Sequence, residues 1–326
     1  MPRHAGLPRA TPLLLRKQDV FDGLRRVDSD PGARDRILAM ENEFRRRVDV
    51  LIGGLPSNDA KLEKFSTSPF VLMFYSKQKS YAHVADIEQA LVPAKVFSSM
   101  ETSAGNMIEK IVLPVYGWEA VESAMQTHDS LLDGRLVQQG SGTFVGATLK
   151  SGPRTLNDDM AGKIGAELVQ RASLWAVDHG ARQIEFTYGA LYGTKKQSNK
   201  KDWHILRHVA EQRPRQSTLT QSHEGSWSIS YDDGPLSVSA TVRVGLEWWE
   251  YLGGPDAWLE LCCALIRACI APTTAPTTPS VYTISDLAEI LDLSTVPAGY
   301  NVSVLQHSQL EWLLFLARHF CDGFEG

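Results

Sequence analysis

The residues best suited to chemistry lie between Asp133 and Asp159. An acid, Asp133, stands at the base of a hairpin, and a lysine closes the next strand in Thr148-Leu149-Lys150. Metal-assisted hydrolysis of a phosphodiester draws on such a set. Carboxylates hold Mg²⁺, which polarises the phosphate and lowers the pKa of a bound water. A neighbouring lysine orients that water or offsets charge developing on the phosphate. Adjacent antiparallel strands bring two such side chains to one shared ion. On spacing alone, a surface salt bridge explains the same pair.

The elements that must carry these residues follow from hydrophobic period and turn chemistry. Segments 133–137 and 143–149 read as strands, joined by Gln139-Gly140-Ser141-Gly142, whose glycines supply hairpin freedom. Asn157 or Asp158 caps a long helix over 160–178, with Met160, Ile164, Leu168, Ala172, Trp175 and Ala176 as its apolar stripe and Gly180 as its end. Segment 184–188 is a strand. A long helix between two strands predicts a crossover connection in a mixed or parallel sheet.

Upstream, Val20, Leu24, Ile37, Met40, Phe44, Val48 and Leu51 give helical spacing over 17–52. Asn58-Asp59 suits a helix cap. The run 70–75 fits a strand or a buried helix turn. Segments 83–98 and 103–112 read as helices, and Gly117-Trp118 lies in a loop. Downstream, 202–211 is an amphipathic helix and the polar 212–225 a loop. Leu236, Val238, Ala240, Val242 and Val244 alternate with polar residues after an Asp233-Gly234 turn, which predicts a hairpin over 226–244. Segment 258–271 is helical, 271–279 is a Thr/Pro linker, and 284–292 and 308–320 are terminal helices.

Bulk properties narrow the classes. At 326 residues and 43% hydrophobic, the chain can bury a sizeable core. A net charge of -5 argues mildly against nucleic acid, yet basic runs occur at Arg45-Arg46-Arg47, Lys195-Lys196 and Lys200-Lys201. Cys262, Cys263, Cys269 and Cys321 contain no CxxC pair, so they read as reduced core residues, not a zinc site. No apolar run suits a bilayer span, and the N-terminus lacks a full signal-peptide core, so a cytoplasmic product is expected.

Four stretches resemble type II restriction endonucleases of the PD-(D/E)XK superfamily. Leu149-Lys150-Ser151-Gly152-Pro153-Arg154-Thr155-Leu156-Asn157-Asp158-Asp159-Met160 is similar to the segment following the catalytic lysine in those enzymes. Tyr188-Gly189-Ala190-Leu191-Tyr192-Gly193-Thr194, with Asn199-Lys200-Lys201-Asp202-Trp203, is similar to their strand, Y-G turn and N-K-x-D helix start. Glu101-Thr102-Ser103-Ala104-Gly105-Asn106-Met107-Ile108-Glu109 resembles their first core helix, which carries a glutamate facing the site. Val242-Arg243-Val244-Gly245 with Trp248 or Trp249 resembles a later element.

The resemblance implies an α/β fold: a mixed central sheet flanked by helices, with a helical N-terminal region and an α+β C-terminal region. It divides the chain into a helical region 1–98, a catalytic core 99–215, and a hairpin with helices, 216–326, integrated with the core. It implies an Mg²⁺-dependent endonuclease of a restriction-modification system, cutting both strands of double-stranded DNA at a specific site as a homodimer.

Asp133 then matches the first metal-binding aspartate, with Asp129 as competitor, and Lys150 matches the catalytic lysine. The family pattern wants an acid two residues before that lysine, where this chain has Thr148. Glu109, Glu167 and Asp159 are the candidates to replace it; Asp133, Glu109 and Asp159 are the expected metal ligands. Lys195, Lys196, Asn199, Lys200 and Lys201 are expected along the DNA. His128 beside Asp129 is a minor metal candidate, and His204 reads as a packing residue.

Overall fold

A computed structural model describes residues 12–55, 69–83, 88–121, 128–136, 142–152, 155–197, 201–221, 226–272, 284 and 287–324. Helix α1 (Lys17–Ser29) and helix α2 (Pro31–Gly53) replace one continuous helical pattern. The break has a local cause. Asp30 leaves helical geometry, its carboxylate accepts the Gly32 amide, and Pro31 opens the next helix, where a missing N–H costs nothing. Helix α3 (Pro69–Lys79) follows, then helix α4 (Glu88–Val115), which joins the two shorter helices expected at 83–98 and 103–112. The 70–75 run is therefore helical, and it is not buried: Phe70, Val71, Met73 and Phe74 are exposed.

Strand β1 (Glu119–Ala120) leads through a 3₁₀ turn, His128–Leu131, to strand β2 (Gly134–Leu136) and strand β3 (Thr143–Lys150). Helix α5 (Asp158–His179) then crosses to strand β4 (Gln183–Ala190). Asn157 caps α5 by accepting the Met160 amide at 2.8 Å, and Gly180 ends it at φ +62°. Helix α6 (Lys201–Gln212), strand β5 (Ser217–Gln221), strand β6 (Trp227–Asp233) and strand β7 (Leu236–Val244) come next. Helices α7 (Leu246–Gly253), α8 (Ala257–Cys269), α9 (Leu287–Leu293) and α10 (His307–Phe320) complete the chain.

Among the described residues the strands form one seven-stranded sheet in the order β1-β2-β3-β4-β7-β6-β5. β3, β4 and β7 are parallel neighbours, and the flanking pairs are antiparallel. The crossover read from the 160–178 helix is thus present. So is the 226–244 hairpin, with Gly234 at φ +62° in its turn. The polar 212–225 segment is not all loop, because β5 pairs with β6 as the edge strand. Asn58-Asp59, most of the Gln139-to-Gly142 turn and most of the Thr/Pro linker lie outside the described residues.

Each sheet face has its own core. On one face Phe144, Ile184, Phe186, Tyr188, Val238 and Val242 pack against Ile164, Leu168 and Trp175 of α5 and Ile205 and Val209 of α6. On the other, Val145, Ala147 and Leu149 meet Ile111, Val112 and Leu113 of α4 and Trp248 of α7. Parallel central strands covered on both sides must read apolar on both faces, as β3 does. Tyr-Gly in β4 has a packing reason: a Cβ on Gly189 would lie 2.8 Å from both Leu149 and the Trp248 ring.

Buried ion pairs clamp the helical layer. Arg36 of α2 donates to both Glu260 oxygens at 2.6 and 2.7 Å, and the Tyr116 hydroxyl donates to Glu260 at 2.8 Å. Arg267 of α8 meets Glu41 of α2 at 2.7 Å. Tyr116 directly follows α4, so the clamp also fixes the helix that carries Glu109. Among the described residues no helix is long and apolar enough to cross a membrane.

Candidate active site

Asp133 lies just before β2, where the chain turns off the edge of β3. Its backbone N–H donates to the Ala147 carbonyl at 2.8 Å. Its carboxylate accepts the Leu149 amide at 2.6 Å. β2 pairs with β3 only as far as Gly134 opposite Ala147. Beyond that point the Asp133 side chain takes the place of a strand partner. Lys150, the last residue of β3, extends its ammonium to 4.0 Å from Oδ2 of Asp133.

Glu109 arrives from the other side. A Cβ on Gly134 would lie 2.7 Å from Cδ1 of Leu113, so the bare backbone of β2 lets α4 approach closely. Glu109 is four residues before Leu113 and so on the same helix face, one turn earlier. There it feels the charges of both Asp133 and Lys150. Burial first, then the negative charge of Asp133, pushes its carboxyl up to about 7, against the opposing pull of Lys150 and Lys110. Burial also raises Asp133, while the Leu149 amide and Lys150 pull it down. Two carboxyls competing for one patch of low dielectric, beside one ammonium, form a site that gains from a further positive charge.

The other acids stand differently. Glu167 of α5 is engaged by Arg171 at 3.4 Å and Lys163 at 3.6 Å. Arg171 also donates to the hydroxyl of Ser130 at 2.9 Å, in the 3₁₀ turn ahead of Asp133. Asp159 is exposed in the first turn of α5, where an acid complements the helix dipole. Among the described residues no three His, Cys, Asp or Glu side chains gather into a metal cluster. The side chains of His128 and Asp129 lie outside the described residues. His204 faces Asp158 at 3.0 Å.

The lysines divide. Lys195 turns inward, its side chain 11% exposed, to meet the buried Glu247 at 2.5 Å, with the Ser226 hydroxyl also donating to Glu247 at 3.0 Å. Its ammonium is engaged by the protein, unlike that of a lysine presented to phosphate. Lys196 is exposed, near the charge of Asp322. Asn199 and Lys200 lie outside the described residues, as does the side chain of Lys201, the first residue of α6.

Two residues that the sequence named only as members of resembling stretches, with no role, stand beside the site. Tyr188 stands opposite Thr148 on β4, hydrogen bonded to Thr155 and near the Asp133 charge. Burial pushes its phenol up to about 12, so it remains a protonated donor. Thr155 in turn donates to the Gly152 carbonyl at 2.7 Å, which folds back the loop after Lys150. The sequence held one signal for this pair, the Tyr188-Gly189 step on a buried strand, where bare glycine backbone packs against Leu149 and Trp248.

A seven-stranded mixed sheet flanked by helices, with an acid just before β2 meeting a lysine at the end of β3, is consistent with a restriction-endonuclease-like fold. Residues 68–213 match the family model described as type II restriction endonuclease EcoO109I, and the resemblance to type II restriction endonucleases is borne out. That stretch includes Glu109, Asp133 and Lys150. The match indicates a nuclease that binds DNA. No curated protein matches the chain.

Proposed function

We propose that the protein is a site-specific endonuclease that cuts both strands of duplex DNA with Mg²⁺, acting as a homodimer in the cytoplasm of a prokaryotic cell. The observation that carries this reading is the convergence of Asp133 and Lys150, 4.0 Å apart, with Glu109 close enough to feel both.

The donor set suits Mg²⁺. It offers hard carboxylate oxygens, and Mg²⁺ binds through one or two carboxylates while keeping several waters. The raised Glu109 carboxyl marks a pair that holds excess negative charge when both acids ionise. Asp133 and Glu109 would hold the ion, which supplies charge stabilisation at the phosphate and a more acidic water.

The chain's own residues do the rest. The Leu149 amide fixes the direction of the Asp133 carboxylate. Lys150 donates to the attacking water or to a phosphate oxygen. Water adds in line to phosphorus, the P–O bond to the 3′ oxygen breaks, and that oxygen leaves as the alcohol after taking up a proton. Exposed Lys196, the backbone of Lys201 that opens α6, and Asn199 and Lys200 between them in sequence would follow the DNA backbone; lysines and helix N-termini both favour phosphate. A two-fold dimer gives one site per strand.

The test is a plasmid digest with Mg²⁺, comparing the wild-type protein with Lys150→Ala. Discrete fragments from the wild type, and a loss of about 10²- to 10³-fold in the variant, are expected. A smear would point to a nuclease of this fold without sequence preference. Full activity in Lys150→Ala would reject the site.

A further inference from the structure

Three consecutive residues of β3 hold the approach to Asp133 at three points. Ala147 accepts the Asp133 amide, Leu149 donates to the Asp133 carboxylate, and between them the Thr148 hydroxyl donates to the carbonyl of Leu131. Leu131 ends the 3₁₀ turn two residues before Asp133. Arg171 secures the same turn from α5 through Ser130. Thr148 is buried, 3% exposed, with its hydroxyl committed to that carbonyl.

We infer that Thr148, standing where the resembling enzymes carry a metal-binding acid, is a positioning residue: its hydroxyl fixes the turn that delivers Asp133. This inference rests on the proposed role of Asp133. It makes the departure at this position a working part of the site. A glutamate there would lose the hydrogen bond to Leu131 and would have to displace the turn that Thr148 holds. The acid that completes the pair comes from α4 instead, through Glu109.

The experiment uses the full chain with Thr148→Val, Thr148→Ser, Thr148→Cys and Thr148→Glu. Three quantities are read: the single-turnover cleavage rate with Mg²⁺, DNA affinity without metal, and hydrogen exchange at the Leu149 amide. Displacing a reacting group by an ångström costs about 10²-fold in rate. Valine keeps the shape and removes the donor. It should therefore slow cleavage by about 10- to 100-fold, leave DNA affinity unchanged and speed exchange at Leu149. Serine should restore both rate and protection, cysteine should fall between, and glutamate should do no better than valine. A valine variant that cuts at the wild-type rate with Leu149 still protected would overturn the inference. So would a glutamate variant that cuts faster than wild type, since residue 148 would then be an acid position. An unprotected Leu149 amide in the wild-type protein would overturn it even if the valine variant failed to fold. A wild-type protein that cuts no DNA would defeat the nuclease reading alone; exchange at Leu149 would still decide the role of Thr148.

Discussion

Leu113 of α4 lies over the bare backbone of Gly134, where an added Cβ would come within 2.7 Å of its Cδ1. The contact sets how closely the helix bearing Glu109 can approach Asp133. Gly134→Ala should therefore push α4 outward. Leu113 is fully buried but has some rotamer freedom, so the expected loss of stability is about 1 kcal/mol. Cleavage should fall further than that loss explains, by about tenfold or more. Urea denaturation and a cleavage rate on the same sample separate the two.

Asp133→Asn should retain the hydrogen bond from Leu149, since an amide oxygen also accepts. It removes only the charge. Cleavage should drop by about 10³-fold, equivalent to several kcal/mol of lost charge stabilisation, while thermal stability and DNA binding without metal persist. Equal loss of folding and activity would mean that Asp133 is a structural residue.

Glu109 gives a pH dependence whose sign follows from its raised carboxyl. With a native pKa of about 7 against 4.5 unfolded, the folded protein binds this proton more tightly. Metal-free protein should thus lose stability as pH rises from about 4.5 to about 7. Divalent metal must displace the proton, so its apparent affinity should weaken as pH falls below about 7, with about one proton released per ion. Calorimetric titration with Mn²⁺ in buffers of different ionisation enthalpy measures that release. Glu109→Gln should reduce the release and the pH slope together, leaving only the part that the raised Asp133 carboxyl contributes.

Lys195 and Lys196 are adjacent in sequence and should behave oppositely. Lys195→Met leaves Glu247 buried without its cation, at a cost of about 3 kcal/mol. Burial already raises the Glu247 carboxyl, and a protonated acid carries no charge to bury, so the penalty should shrink as pH falls. Lys196→Ala should leave stability nearly unchanged but weaken DNA binding across sequences, lowering the salt slope by about one. Fluorescence anisotropy over a salt series checks the second; chemical denaturation checks the first.

Glu260 is 2% exposed and receives Arg36 and Tyr116. Glu260→Ala should cost about 3 kcal/mol by removing the buried acceptor of Arg36 and Tyr116, with Asp30 at 3.8 Å the remaining acid beside Arg36. Replacing Glu260 and Arg36 together by apolar residues should recover much of that. A double variant no better than the single one would show that the clamp is not an independent pair.

The parts of the fold set by local pattern were legible in the sequence. Alternation from Leu236 to Val244, the Asn157 cap and the Gly180 stop each act within a few residues. β5 was missed because an edge strand can be polar: Thr218 and Thr220 face solvent, while Leu219, with Ser217, is partly covered. α7 had no helix reading in the sequence, where Trp248 and Trp249 entered only through the resemblance; at eight residues it is too short for a helical period to show, and Gly245 and Gly254 bracket it.

In the site, Asp133 and Lys150 were singled out by spacing and resemblance. The choice among Glu109, Glu167 and Asp159 stayed open because it depends on how α4 and α5 seat against the sheet. Nothing local to Glu109 announces Gly134, and nothing local to Lys195 announces Glu247. The pairing of Glu167 with Arg171 is local to α5, four residues apart, whereas the tie from Arg171 to Ser130 joins elements distant in the sequence.

The sheet's central strand β4 lies between β3 on one side and β7 on the other, and β7 follows residue 213, where the family match stops. A fragment ending there would expose a long row of unanswered amides and carbonyls along β4, between two apolar surfaces. Such a rim recruits other chains. Attempts to isolate the matched stretch should yield inclusion bodies, and a ribosome must finish β7 before this sheet has a protected border.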